Sequence, residues 1–92
     1  MDVAQQITRL NALWRNAQEP KLLWEEMQVI AQQAFAVQAE AMEALDRSEK
    51  TASSVAAVQS VFAAREQVWD IAGKIAAREQ EIKEKTFKRG NP

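Results

Sequence analysis

The segment LWEEMQVIAQQAFAVQAEAMEAL, residues 23–45, decides the fold. Within it Leu23, Met27, Ile30, Ala34, Val37, Ala41 and Ala44 recur at alternating spacings of four and three. At about 3.6 residues per turn those positions share one face, the heptad seam of a helix that packs on another helix. A flanking row of Trp24, Ala31, Phe35, Met42 and Leu45 widens the seam to about half the circumference. Pro20 suits a helix's first turn, where its missing N–H is no loss, and Glu25 and Glu26 favour the positive end of the dipole. The spacing therefore predicts a helix over 20–45, about 39 Å long at about 1.5 Å per residue.

Towards the N-terminus, Val3, Ile7, Leu10, Trp14 and Ala17 follow the same rhythm after Asp2, a candidate N-cap. This predicts a first helix over 3–18, ended by Pro20, which pushes Glu19 out of the α region. Trp14 and Trp24 bracket that break and are expected to meet across the turn.

Towards the C-terminus, residues 46–54 (DRSEKTASS) carry no large apolar side chain and read as a hairpin loop. A third helix is expected over 54–88. One of its rows is Val61, Arg65, Val68, Ala72, Ile75, Glu79 and Ile82; its neighbour is Val58, Phe62, Trp69 and Ala76, and Ile71 extends the stripe. Asp70–Lys74, Glu81–Lys85 and Glu84–Lys88 place acid before base at i,i+4, and Gly90 suits the C′ position. The fold class is thus all-α: one domain over 1–92, a long antiparallel helical hairpin with a shorter N-terminal helix, coiled-coil-like.

Both long helices are apolar over half their circumference or more. Either the first helix folds back to complete a monomeric three-helix bundle, or several hairpins associate. A chain of 92 residues buries only about 60–65% of its unfolded surface. Moreover, 17 of its 43 hydrophobic residues are Ala, which contributes well under half of Leu's roughly 1.5–3 kcal/mol on burial. Both effects favour self-association or a protein partner. The expected core or interface seam is Leu23, Met27, Ile30, Phe35, Val37, Val61, Phe62, Val68, Trp69 and Ile75.

Arg65 and Glu79 interrupt the apolar row and are candidates for fixing register or partner choice; otherwise their charges reach solvent at the seam edge. With a hairpin apex near Lys50, Arg65 falls opposite Phe35, near Gln32 and Gln38, and Glu79 near Lys21. Residues 1–46 hold three basic and seven acidic groups, giving −4; residues 47–92 hold nine and six, giving +3. Antiparallel helices from the two halves attract, within one chain or head-to-tail between chains.

The composition argues against catalysis. There is no Cys or His, which removes thiolate chemistry, the commonest general base and the Glu-x-x-His pairs of helical di-metal sites. Glu40 and Glu43 fall on the polar arc; Ser48, Ser53, Ser54 and Ser60 have no His base, and a Ser–Lys arrangement with Lys50 in an exposed loop has no pocket to perturb the lysine. No metal, no cofactor and no enzymatic activity are expected. Nucleic-acid binding would rest on Lys83, Lys85, Lys88 and Arg89, but Glu79, Glu81 and Glu84 are interleaved and the isoelectric point is about 5.5. No apolar run approaches the roughly 18 residues a membrane span requires, and no signal-peptide pattern opens the chain. A cytoplasmic location, or incorporation in a particle assembled there, is the expectation.

The leading expectation for function is a non-enzymatic structural subunit of a larger homo- or hetero-oligomeric assembly, such as a virus particle or secretion apparatus. Two alternatives stand beside it. The Ala- and Gln-rich composition is similar to that of phasins, proteins that coat storage granules, on composition alone. That resemblance implies an amphipathic coat whose hairpin opens on a surface. The other is a small regulatory or inhibitory binder that docks one helical face in a partner's groove.

Overall fold

The computed structural model describes residues 3–89 and contains three helices: α1 (Val3–Ala17), α2 (Trp24–Thr51) and α3 (Val55–Arg89). Each helix packs on the other two, and the chain is the all-α, three-helix hairpin that the periodicity predicts. The candidate caps Asp2 and Gly90 lie outside the described residues.

The boundaries of α2 differ from the sequence expectation at both ends. Pro20 does not open the helix. It sits in a turn in which the Leu22 N–H donates to Glu19 O at 3.2 Å. The helix starts only after Leu23, whose backbone is extended (φ −78°, ψ 153°) and whose N–H donates to the Glu26 carboxylate at 2.9 Å. That reach-back from N3 satisfies a donor the helix leaves orphaned, so Glu26 rather than Pro20 sets the start. At the other end, residues 46–51 are helical. They contain neither Gly nor Pro, and an Arg47–Glu43 ion pair at 3.1 Å and a Thr51 Oγ1–Arg47 O hydrogen bond at 3.2 Å support the last turns. Only residues 52–54 connect α2 to α3. Ser54 caps α3, its Oγ accepting the Ala57 N–H at 3.1 Å.

The bundle is a rod of 59 × 19 × 17 Å. Its radius of gyration is 15.8 Å, against about 12 Å for a compact domain of this length. The core is a thin line along the axis: Leu10 and Ala17 from α1, Met27, Ile30, Ala34, Val37, Ala41 and Leu45 from α2, and Val61, Val68, Ile71, Ile75 and Ile82 from α3. No aromatic ring is fully inside it. Trp14 and Trp24 pack half-buried against its edge.

α1 covers one side of the hairpin and is tied to both of its arms. Gln6 is buried and donates through Nε2 to the Glu40 carboxylate of α2 at 3.3 Å. Arg78 of α3 reaches the end of α1, donating to Ala17 O at 2.7 Å and to Glu19 O at 2.9 Å, while Glu81 pairs with the same guanidinium at 3.1 Å. A cation on the carbonyl end of a helix satisfies orphaned acceptors and opposes the dipole. α1 therefore folds back on its own hairpin.

Candidate interaction surface

Six of the expected seam residues are buried: Met27, Ile30, Val37, Val61, Val68 and Ile75. The other four, Leu23, Phe35, Phe62 and Trp69, stand on the surface. Leu23 is exposed because it stands at the N-cap, before α2 begins; for the three aromatics the division follows from size. The buried seam of α2 includes Ala34 and Ala41, small residues that permit close helix approach and leave little room for a ring. Aliphatic residues fill the gap and the aromatics are left on the flank.

α3 consequently carries two faces. Its inner row is Val61, Val68, Ile71, Ile75 and Ile82. About 140° around the helix, at about 3.6 residues per turn, runs an outer row headed by Phe62 (48% exposed) and Trp69 (57% exposed). Phe35, 73% exposed, belongs to the same side of the molecule. It shares an every-seventh-residue row of α2 with Met42 and Glu49, and Glu49 is turned towards α3, where its carboxylate takes the Arg65 guanidinium at 3.2 Å. Arg78, which holds α1, lies nearly opposite the outer row on α3. The aromatic side is thus the side α1 leaves uncovered.

Arg65 sits at the rim of this surface. It bridges Asp46 at 3.0 Å and Glu49 at 3.2 Å, and its guanidinium lies 5.7 Å from the centre of the Phe62 ring. Its partners are not those expected opposite Phe35, because α2 runs on to Thr51 and the hairpin apex falls at residues 52–54 rather than near Lys50. The pairing staples the far end of the hairpin from inside one chain. Glu79 likewise forms no ion pair with Lys21. Glu79 is half-buried on α3 and, among the described residues, pairs with no cation. The ring that Trp24 meets is Phe87, edge-on at 6.0 Å, rather than Trp14. The overhang of α3 past the α1–α2 turn brings Phe87 there. The expected Asp70–Lys74 and Glu81–Lys85 pairs form at 3.4 Å and 3.2 Å.

Two organising residues escaped the sequence reading, Gln6 and Arg78. Arg78 left a signal: it stands between Ile75 and Ile82 on the inner face, where a charge must find a partner. Gln6 left none, since a glutamine beside Ile7 is indistinguishable from a solvated one. No group of three or more Asp or Glu residues among those described is placed to hold a metal ion, and no described helix is long and apolar enough to cross a membrane. Compared with known proteins, the chain matches no family model, no curated protein and no solved structure.

Proposed function

We propose that the chain is a non-enzymatic interaction protein, a small helical subunit of a larger assembly formed in the cytoplasm. The observation that carries this reading is the uncovered aromatic side. Phe35 is largely exposed, and Phe62 and Trp69 are about half exposed, outside a core made of aliphatic side chains. Fully burying a Phe-sized side chain is worth about 1.5–3 kcal/mol, so a surface that could recover part of that three times over favours a protein partner. Contiguous apolar patches on soluble proteins mark interaction sites, and interface cores are enriched in aromatic residues and Arg. The absence of His and Cys from the chain supports the non-enzymatic half of the reading.

Size-exclusion chromatography with light scattering, run over a wide concentration range, tests it. A mass that rises above the 10.4 kDa of one chain supports the proposal. A species that stays at one chain throughout, with no complex of defined stoichiometry recovered by native mass spectrometry from its natural source, overturns it.

A further inference from the structure

The outer face of α3 is a second heptad seam, and it is self-complementary. Phe62, Glu66, Trp69, Gly73, Ala76, Gln80, Lys83 and Phe87 follow one another at spacings of four and three without a break, and all eight are exposed. Within the monomer only its last residue, Phe87, meets another helix, edge-on against Trp24 of α2; from Phe62 to Lys83 no ring contact or ion pair joins the row to the described residues of α1 or α2. Read from its two ends towards the middle, it pairs Phe62 with Phe87, Glu66 with Lys83, Trp69 with Gln80 and Gly73 with Ala76. Resting on the reading above, we infer that the occupant of this face is a second copy of the chain, its α3 antiparallel to the first, about a two-fold axis midway between Lys74 and Ile75.

Three features of the row select that partner and that direction. The first is charge. In the antiparallel register each Glu66 faces the Lys83 of the other copy, twice per dimer. A parallel pair would instead set Glu66 on Glu66 and Lys83 on Lys83, which opposes association. The second is the flanks. Antiparallel helices bring like flanks together, so Asp70 meets Ala77, Glu84 meets Ala63, Arg65 meets Thr86 and Glu79 meets Ala72. No like charges oppose each other anywhere along the contact. The third is shape. Gly73 lies in the interior of a 35-residue helix, where glycine costs about 1 kcal/mol relative to alanine, and a Cβ built there would meet nothing within 4 Å. The monomer has no use for the missing side chain. Gly73 and Ala76 at the two-fold let the helices approach closely, and Trp69 flanks that narrow point from each copy. The contact spans Phe62 to Phe87, roughly 38 Å of helix at about 1.5 Å per residue.

The test uses the charge pair. In the Glu66→Lys chain every Lys83 of a like dimer faces a lysine; in the Lys83→Glu chain every Glu66 faces a glutamate. Each variant alone is expected to dimerise about tenfold or more weakly than the unaltered chain in sedimentation equilibrium at low salt. An equimolar mixture of the two restores opposite charges at both contacts, so it is expected to form a heterodimer at close to the original affinity, seen as a mixed-mass species by native mass spectrometry. Both positions are solvent-exposed, and at dilutions where the parent is monomeric, helical content and thermal midpoint are expected to stay within error of the parent. Gly73→Leu, which has open space in the monomer, is expected to abolish dimerisation while leaving the chain folded. If the single variants associate as well as the parent and their mixture gains nothing, the register is wrong while the interaction reading stands. Association only with an unlike protein overturns the second-copy assignment alone. A parent chain that stays monomeric and forms no complex overturns both.

Discussion

Val61 and Phe62 are neighbours in sequence, as are Val68 and Trp69, yet in each pair the smaller side chain is inside and the larger one outside. Val68 has no exposed surface; Trp69 is 57% exposed. The usual preference of large rings for the interior is reversed where the buried seam of α2 narrows at Ala34 and Ala41, between Ile30, Val37 and Leu45. An alanine seam draws helices close and leaves a slot that valine and isoleucine fill in their preferred rotamers but an indole does not. The ring is displaced by one position, about 100° around the helix, onto a face with no neighbour. The inner and outer faces of α3 therefore have different roles: the inner one closes the monomer, and the outer one is surplus to it.

That contrast can be broken most severely from inside. Val68→Asp places an unpaired carboxylate in the middle of the core, and loss of the folded state is expected, a cost of about 4 kcal/mol or more read as collapsed helical ellipticity at room temperature. Leu10→Ala removes the largest fully buried side chain of α1 and is expected to cost about 2–5 kcal/mol in urea titration. Arg78→Met keeps most of the bulk but abandons Ala17 O and Glu19 O. About 1–3 kcal/mol is expected, with amide exchange accelerated in α1 before the rest of the bundle. Gly73→Ala acts in the opposite direction. Measured at dilution, it is expected to stabilise by about 0.5–1 kcal/mol, because helix propensity improves and nothing obstructs the methyl group. Trp69→Ser sharpens the comparison most. One residue away from Val68, it is expected to change folding stability far less than Val68→Asp does, while greatly reducing self-association in sedimentation runs.

The all-α hairpin could be read from spacing alone, since Met27, Ile30, Ala34, Val37 and Ala41 leave no other period available. Periodicity identified the apolar half of α3 but did not divide it, because it records which residues share an arc and not how close the opposing backbone comes. Both Val68 and Trp69 lie within that arc, and only their burial in the folded bundle separates them. The ends of α2 were hidden for a different reason. Pro20 is equally at home in a turn and in a first helical turn, and what decides between them is a three-residue reach by the Glu26 carboxylate. Residues 46–54 lack large apolar side chains, which suggests a loop, but they also lack a helix breaker, and the second property prevails: α2 runs on by about two turns and the partners of Arg65 lie further along the rod than the spacing suggests. Arg78 and its two carbonyls depend on where a 15-residue helix happens to end beside another, which no local pattern encodes.

The connection between α2 and α3 at residues 52–54 lies at one extremity of a 59 Å rod, whereas the middle of the outer seam lies only about 32 Å from it along α3. Two copies joined there overlap along most of their length, so the particle gains girth and almost no reach, with a largest dimension of roughly 65 Å. In the proposed dimer the bends of the two chains would point to opposite poles, and residues 52–54 of each copy would lie outside the contact.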